Sequence, residues 1–466
     1  MTNNLSSSMP IGTGEPCSTQ KSNALSQPPK EIYGKFDTLF AFLYFGLGYL
    51  FVRTFLGSNW EPGGYTQILT AFYILCVLSY AYVRHITPTR ESYFWLAIMI
   101  CISLPYWFYS FLHFFQFLSL IVVAAYWTMS VGGGFVDEKG SSSYLMFDCI
   151  NCFAVMPFIH FSSIFSAAFN LFRFNIKKSK KTVSVLLGTA MAILALCFIL
   201  PLLMRSDKNF LSTFSSLYDI LMNYLHFRMS DFIIWIVPSI ATACYLYSLS
   251  ISAFSHGHFM IYKKDHLQKQ RKAVRVVENT TISVFLYIIC GVYLLFIALQ
   301  ASYLFSAFSG KIFGEMTYAQ YARSGFFELC QVCAINIAIL CACNLLVNEE
   351  DEKKVKKPYA ALCVISILLL VSAGAKMIMY MAAYGLTEKR IVASIFLLWL
   401  IVVFSLCILR CFKPFNLSKC SLFCGAILYC SLCIFDVTTL VNHYNSAYGF
   451  DKEETNFHQT LDVSSF

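Results

Sequence analysis

The sequence predicts an all-α fold: a polytopic transmembrane helical bundle of about eleven crossings (eleven to twelve), with one re-entrant or interfacial helix. Composition is the first reason. Of the 466 residues, 58% are hydrophobic, 17% aromatic and 13% charged, whereas a soluble domain carries about 25% charge. The second reason is that apolar runs of roughly 20 residues, long enough to cross a bilayer as a helix, recur along the chain. The third is that lysines and arginines gather in short clusters between those runs, as they do in the cytoplasmic loops of membrane proteins. Topology therefore accounts for the net charge of +9. The partner it implies is the lipid bilayer and not nucleic acid.

Residues 1–35 are rich in Ser, Asn, Thr, Pro and Gly and carry few large apolar side chains. They bury too little surface to fold alone and are expected to form a disordered cytoplasmic tail. The tail is too long and polar to open a cleaved signal peptide, and the apolar stretch behind it is too long for such a peptide's core. A transmembrane domain is expected over 36–441. Its runs are Phe36–Leu56, Thr66–Val83, Ser92–Ser110, Leu112–Val131, Thr182–Leu203, Asp231–Phe254, Thr281–Phe308, Tyr321–Val347, Tyr359–Ala383, Ile391–Cys411 and Lys419–Val441. Gly132-Gly133-Gly134 marks the loop that closes the fourth run. Residues 442–466 follow as an extracytoplasmic C-terminal tail.

Between the fourth and fifth runs lies Ser143–Phe172, which carries Asp148, Asn151 and His160 among apolar residues. The basic residues decide how it is read. If it does not cross and the N-terminus is inside, the inner side holds Lys21, Lys30, Lys35, Arg84, Arg90 and Lys139, five residues from Arg173 to Lys181, six from Lys263 to Arg275, four from Lys353 to Lys357, and Arg410, Lys413 and Lys419. These are 24 of the 34; nine fall outside and Lys376 stays within a run. A crossing at 143–172 would send the first six outward. The stretch is therefore expected to be re-entrant or interfacial on the cytoplasmic side. The whole is read as a multi-pass cell-membrane protein with a cytoplasmic N-terminus and an extracytoplasmic C-terminus.

This topology brings three polar clusters to the outer side. One is the segment Tyr318, Tyr321, Arg323 and Glu328, which leads into the eighth run. The second is Lys376, Tyr380 and Tyr384, spaced by four residues and so on one helix face, followed by Arg390. The third is Asp436 with Asn442-His443-Tyr444-Asn445. An ionisable residue inside a span needs a partner. Lys376 is thus expected to pair with Glu328 or Asp436, and Tyr318, Tyr321, Arg323, Glu328, Lys376, Tyr380, Tyr384, Arg390, Asp436 and Asn445 form the candidate binding set. Such a pair can also serve only to fix helix register, and tyrosines collect at membrane interfaces whatever the function.

Other chemistry has little support. Most of the nineteen cysteines lie in apolar runs, where the thiol is a small hydrophobe. Cys149-x-x-Cys152 has no second pair at zinc-ligand spacing. His256-Gly257-His258 with His266 sits in a basic loop and is expected to be solvated. The sequons at Asn279 and Asn416 fall in loops assigned to the cytoplasm. No phosphate-binding loop, dinucleotide fingerprint, nucleophile elbow or zinc-protease helix occurs, so neither a metal, a cofactor nor a catalytic residue is implied.

The run Thr317-Tyr318-Ala319-x-Tyr321-Ala322-Arg323-x-Gly325-Phe326-Phe327-Glu328-Leu329, preceded by Gln300-x-x-Tyr303-Leu304-Phe305 and followed by Tyr384-Gly385-Leu386-Thr387-x-x-Arg390, resembles a bacterial family of polytopic membrane proteins, the domain-of-unknown-function family 4153, and its relative 4173. The resemblance is specific from Thr281 to Arg390, and a family-like core is expected over about 281–445. Family members often carry arginine at the place of Lys376. They also carry an Asn-Pro-acid run where this chain has Asp436-Val437-Thr438. The resemblance implies a membrane location and no particular activity.

The first functional expectation is transport or binding of an anionic or envelope-related ligand, with Arg323, Lys376 and Arg390 holding the anion and Glu328 balancing charge or relaying protons. The rival is an integral-membrane enzyme acting on a lipid-linked envelope substrate, with Glu328 as base. A third is a structural or sensory subunit without turnover. The non-enzymatic reading is preferred. The ligand class stays open between a small molecule and a lipid-linked one.

Overall fold

The computed structural model describes residues 35–57, 65–107, 113–137, 140–175, 188, 229–255, 262–275, 277–305, 326–347 and 352–450. No strand occurs among them. In a bilayer a helix satisfies every backbone polar group within its own segment, so apolar runs of this length fold as helices.

The helices in chain order are α1 Lys35–Gly57, α2 Tyr65–Val83, α3 Arg90–Ser103, α4 His113–Val131, α5 Leu145–Ile150, α6 Met156–Ile159, α7 Ser163–Asn175, α8 Met229–Ala253, α9 Lys264–Val274, α10 Asn279–Phe305, α11 Phe326–Leu346, α12 Glu352–Tyr384, α13 Glu388–Phe412, α14 Leu417–Ile434 and α15 Val437–Ala447. Nine stretches among the described residues are long and apolar enough to span a membrane: Phe36–Leu56, Tyr65–Val83, His113–Val131, Ile234–Ala253, Asn279–Leu299, Glu328–Leu346, Lys354–Tyr384, Glu388–Phe412 and Leu417–Ile434. The expected run Thr182–Leu203 lies, apart from Gly188, outside the described residues.

Short polar side chains fix where several helices begin. Thr89, Thr387, Asn416 and Asp436 each accept a hydrogen bond from the backbone N–H three residues on, capping α3, α13, α14 and α15. Two runs are shorter than the sequence suggested. The run begun by α3 tightens to a 3-10 turn at Leu104–Trp107, which contains Pro105, a residue that lacks the N–H to continue the ladder. The run expected over Lys419–Val441 stops at Ile434, because Phe435 is extended and Asp436 caps a new helix.

The helices form two bodies. In the first, α1 lies along α8 and is flanked by α2 and α7, while α4 packs on α3 and α8. Its core is aromatic: Tyr80 lies against Phe40, Tyr247 and Phe254, and the Tyr44 hydroxyl bonds Ser250 Oγ at 2.6 Å. In the second body α12 is central, packed by α10, α11 and α13. α14 joins the two, lying on α13 at one side and on α3 at the other.

The ambiguous stretch is a broken helix. Residues Leu145–Ile159 contain a π-helical turn at Asn151–Val155 and are bent by 41° from Ser163–Phe169. Its approach is tied to the start of α3, where Ser141 N donates to Glu91 Oε2 at 3.0 Å. Its exit is tied to the start of α1, where Thr38 Oγ1 donates to Ala167 O at 2.8 Å. α1 leads away from one face and α2 returns to it, so the two crossings put the starts of α1 and α3 on that face, and both arms of the broken helix meet it.

Candidate functional site

The site sits where α12 turns into α13. Lys376, Tyr380 and Tyr384 occupy successive turns of α12, and the Tyr380 and Tyr384 rings meet edge-on at 5.4 Å. Gly385 then adopts φ +75°, the left-handed conformation that lets the chain reverse without a Cβ penalty. A side chain there would also collide with Asn445 Oδ1. Asn445, on α15, holds the turn as a neighbouring strand would: its Oδ1 accepts from Leu386 N at 2.8 Å and its Nδ2 donates to Leu386 O at 2.9 Å. Thr438 bonds the Glu388 carboxylate and fastens α15 to α13 a second time.

This scaffold immobilises Arg390, which is 4% exposed. Its guanidinium carbon lies over the Tyr380 ring, 3.9 Å from the centroid. Nη1 donates to Gly385 O at 2.7 Å and to Tyr384 O at 3.3 Å. Nε and Nη2, the two nitrogens of the remaining edge, are buried and have no hydrogen-bond partner among the described residues. An unsatisfied buried donor costs ~1–3 kcal/mol, more when charged, so an arginine held in this way is a marker for a missing acceptor.

Lys376 is fully buried about two turns below Tyr384, some 12 Å at 1.5 Å per residue. Its two expected partners are Glu328 and Asp436. Glu328 stands exposed in the first turn of α11. Asp436 is exposed and is taken up with capping α15, accepting from Thr439 N at 3.1 Å. It lies at a helix junction and not within a span as expected. Deeper in the same body, Tyr293 donates to Asn336 Oδ1 at 2.8 Å and Asn336 Nδ2 donates to Ser366 Oγ at 2.9 Å, tying α10, α11 and α12 together. The structure thus gathers Tyr380, Tyr384, Arg390 and Asn445 around one turn, with Lys376 beneath them. Tyr318, Tyr321 and Arg323 lie outside the described residues.

Two charged clusters on the opposite face escaped the sequence reading. Glu91 accepts from Lys419 Nζ at 2.8 Å, from Trp95 Nε1 at 3.2 Å and from both the backbone and hydroxyl of Ser141. Asn416 Nδ2 also donates to Ser141 O at 2.7 Å. Gly140, at φ +106°, leaves room for the carboxylate. Asp37 accepts from Arg84 Nη2 and from the Tyr80 hydroxyl, each at 2.9 Å. In the sequence Arg84 and Lys419 stand only as charges between apolar runs. The available signal was an acid in the first turn of an apolar run, at Asp37 and at Glu91.

A family model described as Domain of unknown function (DUF4153) matches residues 94–464. The chain belongs to this family. The DUF4153 match begins inside α3 and takes in the broken helix, both walls of the Arg390 site and α15. It therefore extends well beyond the segment 281–390 that carries the resemblance in the sequence. No curated protein and no solved structure matches the chain.

Proposed function

We propose that this DUF4153 protein binds an anionic group, carboxylate or phosphate, at an outward-facing site built around Arg390, as a binding or transport protein of the cell envelope. The observation that carries the reading is the buried, unpartnered Nε–Nη2 edge of Arg390. Guanidinium and carboxylate or phosphate match as two parallel hydrogen bonds, and the match gains strength where water is excluded. Tyr380 and the two carbonyls already fix the fork, so little orientation is lost on binding. Lys376 adds a second positive charge on the same helix face as Tyr380. Outward orientation is the reading that the distribution of 24 basic residues against nine supports.

The test is a titration of the purified protein in lipid nanodiscs with inorganic phosphate and with a short dicarboxylate, read by calorimetry. Saturable binding of one of them is expected. Arg390→Lys keeps the charge but loses the fork, and should weaken binding by about tenfold, the equivalent of ~1.4 kcal/mol. Equal binding by Arg390→Lys, or no binding of either anion by the wild type, overturns the proposal.

A further inference from the structure

A chamber of about 610 Å³ lies between the two bodies, on the side of α13 away from Arg390. Its walls are Val122 and Tyr126 of α4, Phe396 and Trp399 of α13, and Ala426 and Tyr429 of α14, with Trp95 toward one end and the broken helix closing another side through Leu145, Cys149 and Phe153. That volume falls within the ~300–1,000 Å³ of small-molecule sites, and no charged side chain lines it among the described residues. Along α14 the lining runs from Leu422 to Leu432, about 15 Å of helix. The arc α13–α14–α3–α4 is closed by direct packing. At its two free edges, α4 and α13, the lining residues Phe115, Val122 and Phe396 are 53%, 46% and 49% exposed. The chamber thus opens sideways, where the bilayer's hydrocarbon would be.

We propose that this chamber is a site for an acyl chain of an anionic membrane phospholipid, which enters laterally between α4 and α13. A dry void of this size would forfeit dispersion contacts comparable to the whole margin of folding stability. Water finds few polar partners on such walls. Hydrocarbon is the occupant left, and a membrane supplies it. The headgroup is assigned by charge. One turn of α14 separates Leu422, at the end of the lining, from Lys419, whose side chain is about a third exposed beside Phe423. Arg410 and Lys413 precede it in the turn between α13 and α14. Lys419 already neutralises Glu91 and Lys264 neutralises Asp137, so Arg410 and Lys413 give this turn its net charge and attract a lipid phosphate.

The full chain in vesicles of phosphatidylcholine and phosphatidylglycerol provides the test, using phosphatidylglycerol with a diazirine on one acyl chain. Adducts are mapped by mass spectrometry. Leu299, 76% exposed on α10, reports ordinary boundary lipid. Adducts at Ala426 and Tyr429 are expected to saturate and to fall several-fold with unlabelled phosphatidylglycerol, while those at Leu299 follow the probe fraction. Filling the chamber from either wall, by Ala426→Trp or Val123→Phe, should remove the chamber adducts and spare Leu299, so one well-folded variant suffices. Absence of chamber adducts, or chamber labelling that tracks Leu299, overturns the site. Equal labelling by a phosphatidylcholine probe overturns the headgroup assignment.

Discussion

Replacing Lys419 by methionine removes one of the charges that tie α14 to α3 and leaves the Glu91 carboxylate, 4% exposed, without its counter-ion. Breaking a buried ion pair typically costs about 3–5 kcal/mol. Two features reduce the figure here. The Lys419 side chain is 31% exposed, so water screens part of the pair. Glu91 also retains three donors, from Ser141 N, Ser141 Oγ and Trp95 Nε1. A loss of about 2–3 kcal/mol is expected for Lys419→Met. Glu91→Leu should cost more, about 4 kcal/mol, because it strands buried donors on Ser141 and Trp95 as well as the lysine. The double variant Glu91→Gln with Lys419→Met keeps an acceptor for Ser141 and Trp95 and removes both charges, so it should fall within about 1 kcal/mol of the wild type. The assay is equilibrium unfolding in mild detergent, completed by Glu91→Gln alone. Additivity of Glu91→Gln and Lys419→Met to within ~0.5 kcal/mol would show that the two residues do not interact and would refute the reasoning.

Further outcomes follow from the same geometry. Asn445→Ala should destabilise by about 2–3 kcal/mol, since both the N–H and the carbonyl of Leu386 lose their partner, and thermal unfolding in detergent measures it. Gly385→Ala should be destabilising by ~1 kcal/mol or more, from the left-handed φ and the approach of Asn445 Oδ1. A double-mutant cycle on Glu328→Leu and Lys376→Met should give a coupling of at most about 1 kcal/mol, because Glu328 is exposed; strict additivity would separate the two residues. Cysteines at 139 and 178 should be labelled from the same side of sealed vesicles, since the broken helix between them is tied to one face, with 265 sharing their side and 455 opposite. Labelling of 139 and 178 from opposite sides would mean a true crossing and an inverted N-terminal half.

Much of the helical framework was legible because hydropathy in a bilayer is nearly a local property. Phe36–Leu56 and Tyr65–Val83 span almost the stretches their apolar runs predict. Breaks were less legible. Pro105 and Asp436 end regular helix by removing an N–H and by competing for one, and neither leaves a dip in hydrophobicity deep enough to mark it. At the site, the four-residue spacing of Lys376, Tyr380 and Tyr384 announces a shared face. What the spacing does not contain is the partner of each face. Asn445 meets Leu386 across 59 residues, and Lys419 meets Glu91 across 328. Pairs at such separation are decided by how helices pack, which no local period encodes. The importance of Arg390 was likewise visible only in part. Its charge near a membrane boundary reads as an ordinary interfacial anchor until the fold stacks it on Tyr380 and leaves one edge bare.

The claim that matters most is that this bare edge receives an anion. An experimental structure determined in the presence of selenate or arsenate, whose heavy atom identifies the ion by anomalous scattering, tests it most directly. Density for the ion with oxygens about 2.7–2.9 Å from Nε and Nη2 of Arg390, lost in Arg390→Lys, is the predicted result. An Arg390 edge capped by a side chain or carbonyl of the protein itself, with the ion elsewhere or absent, would contradict it.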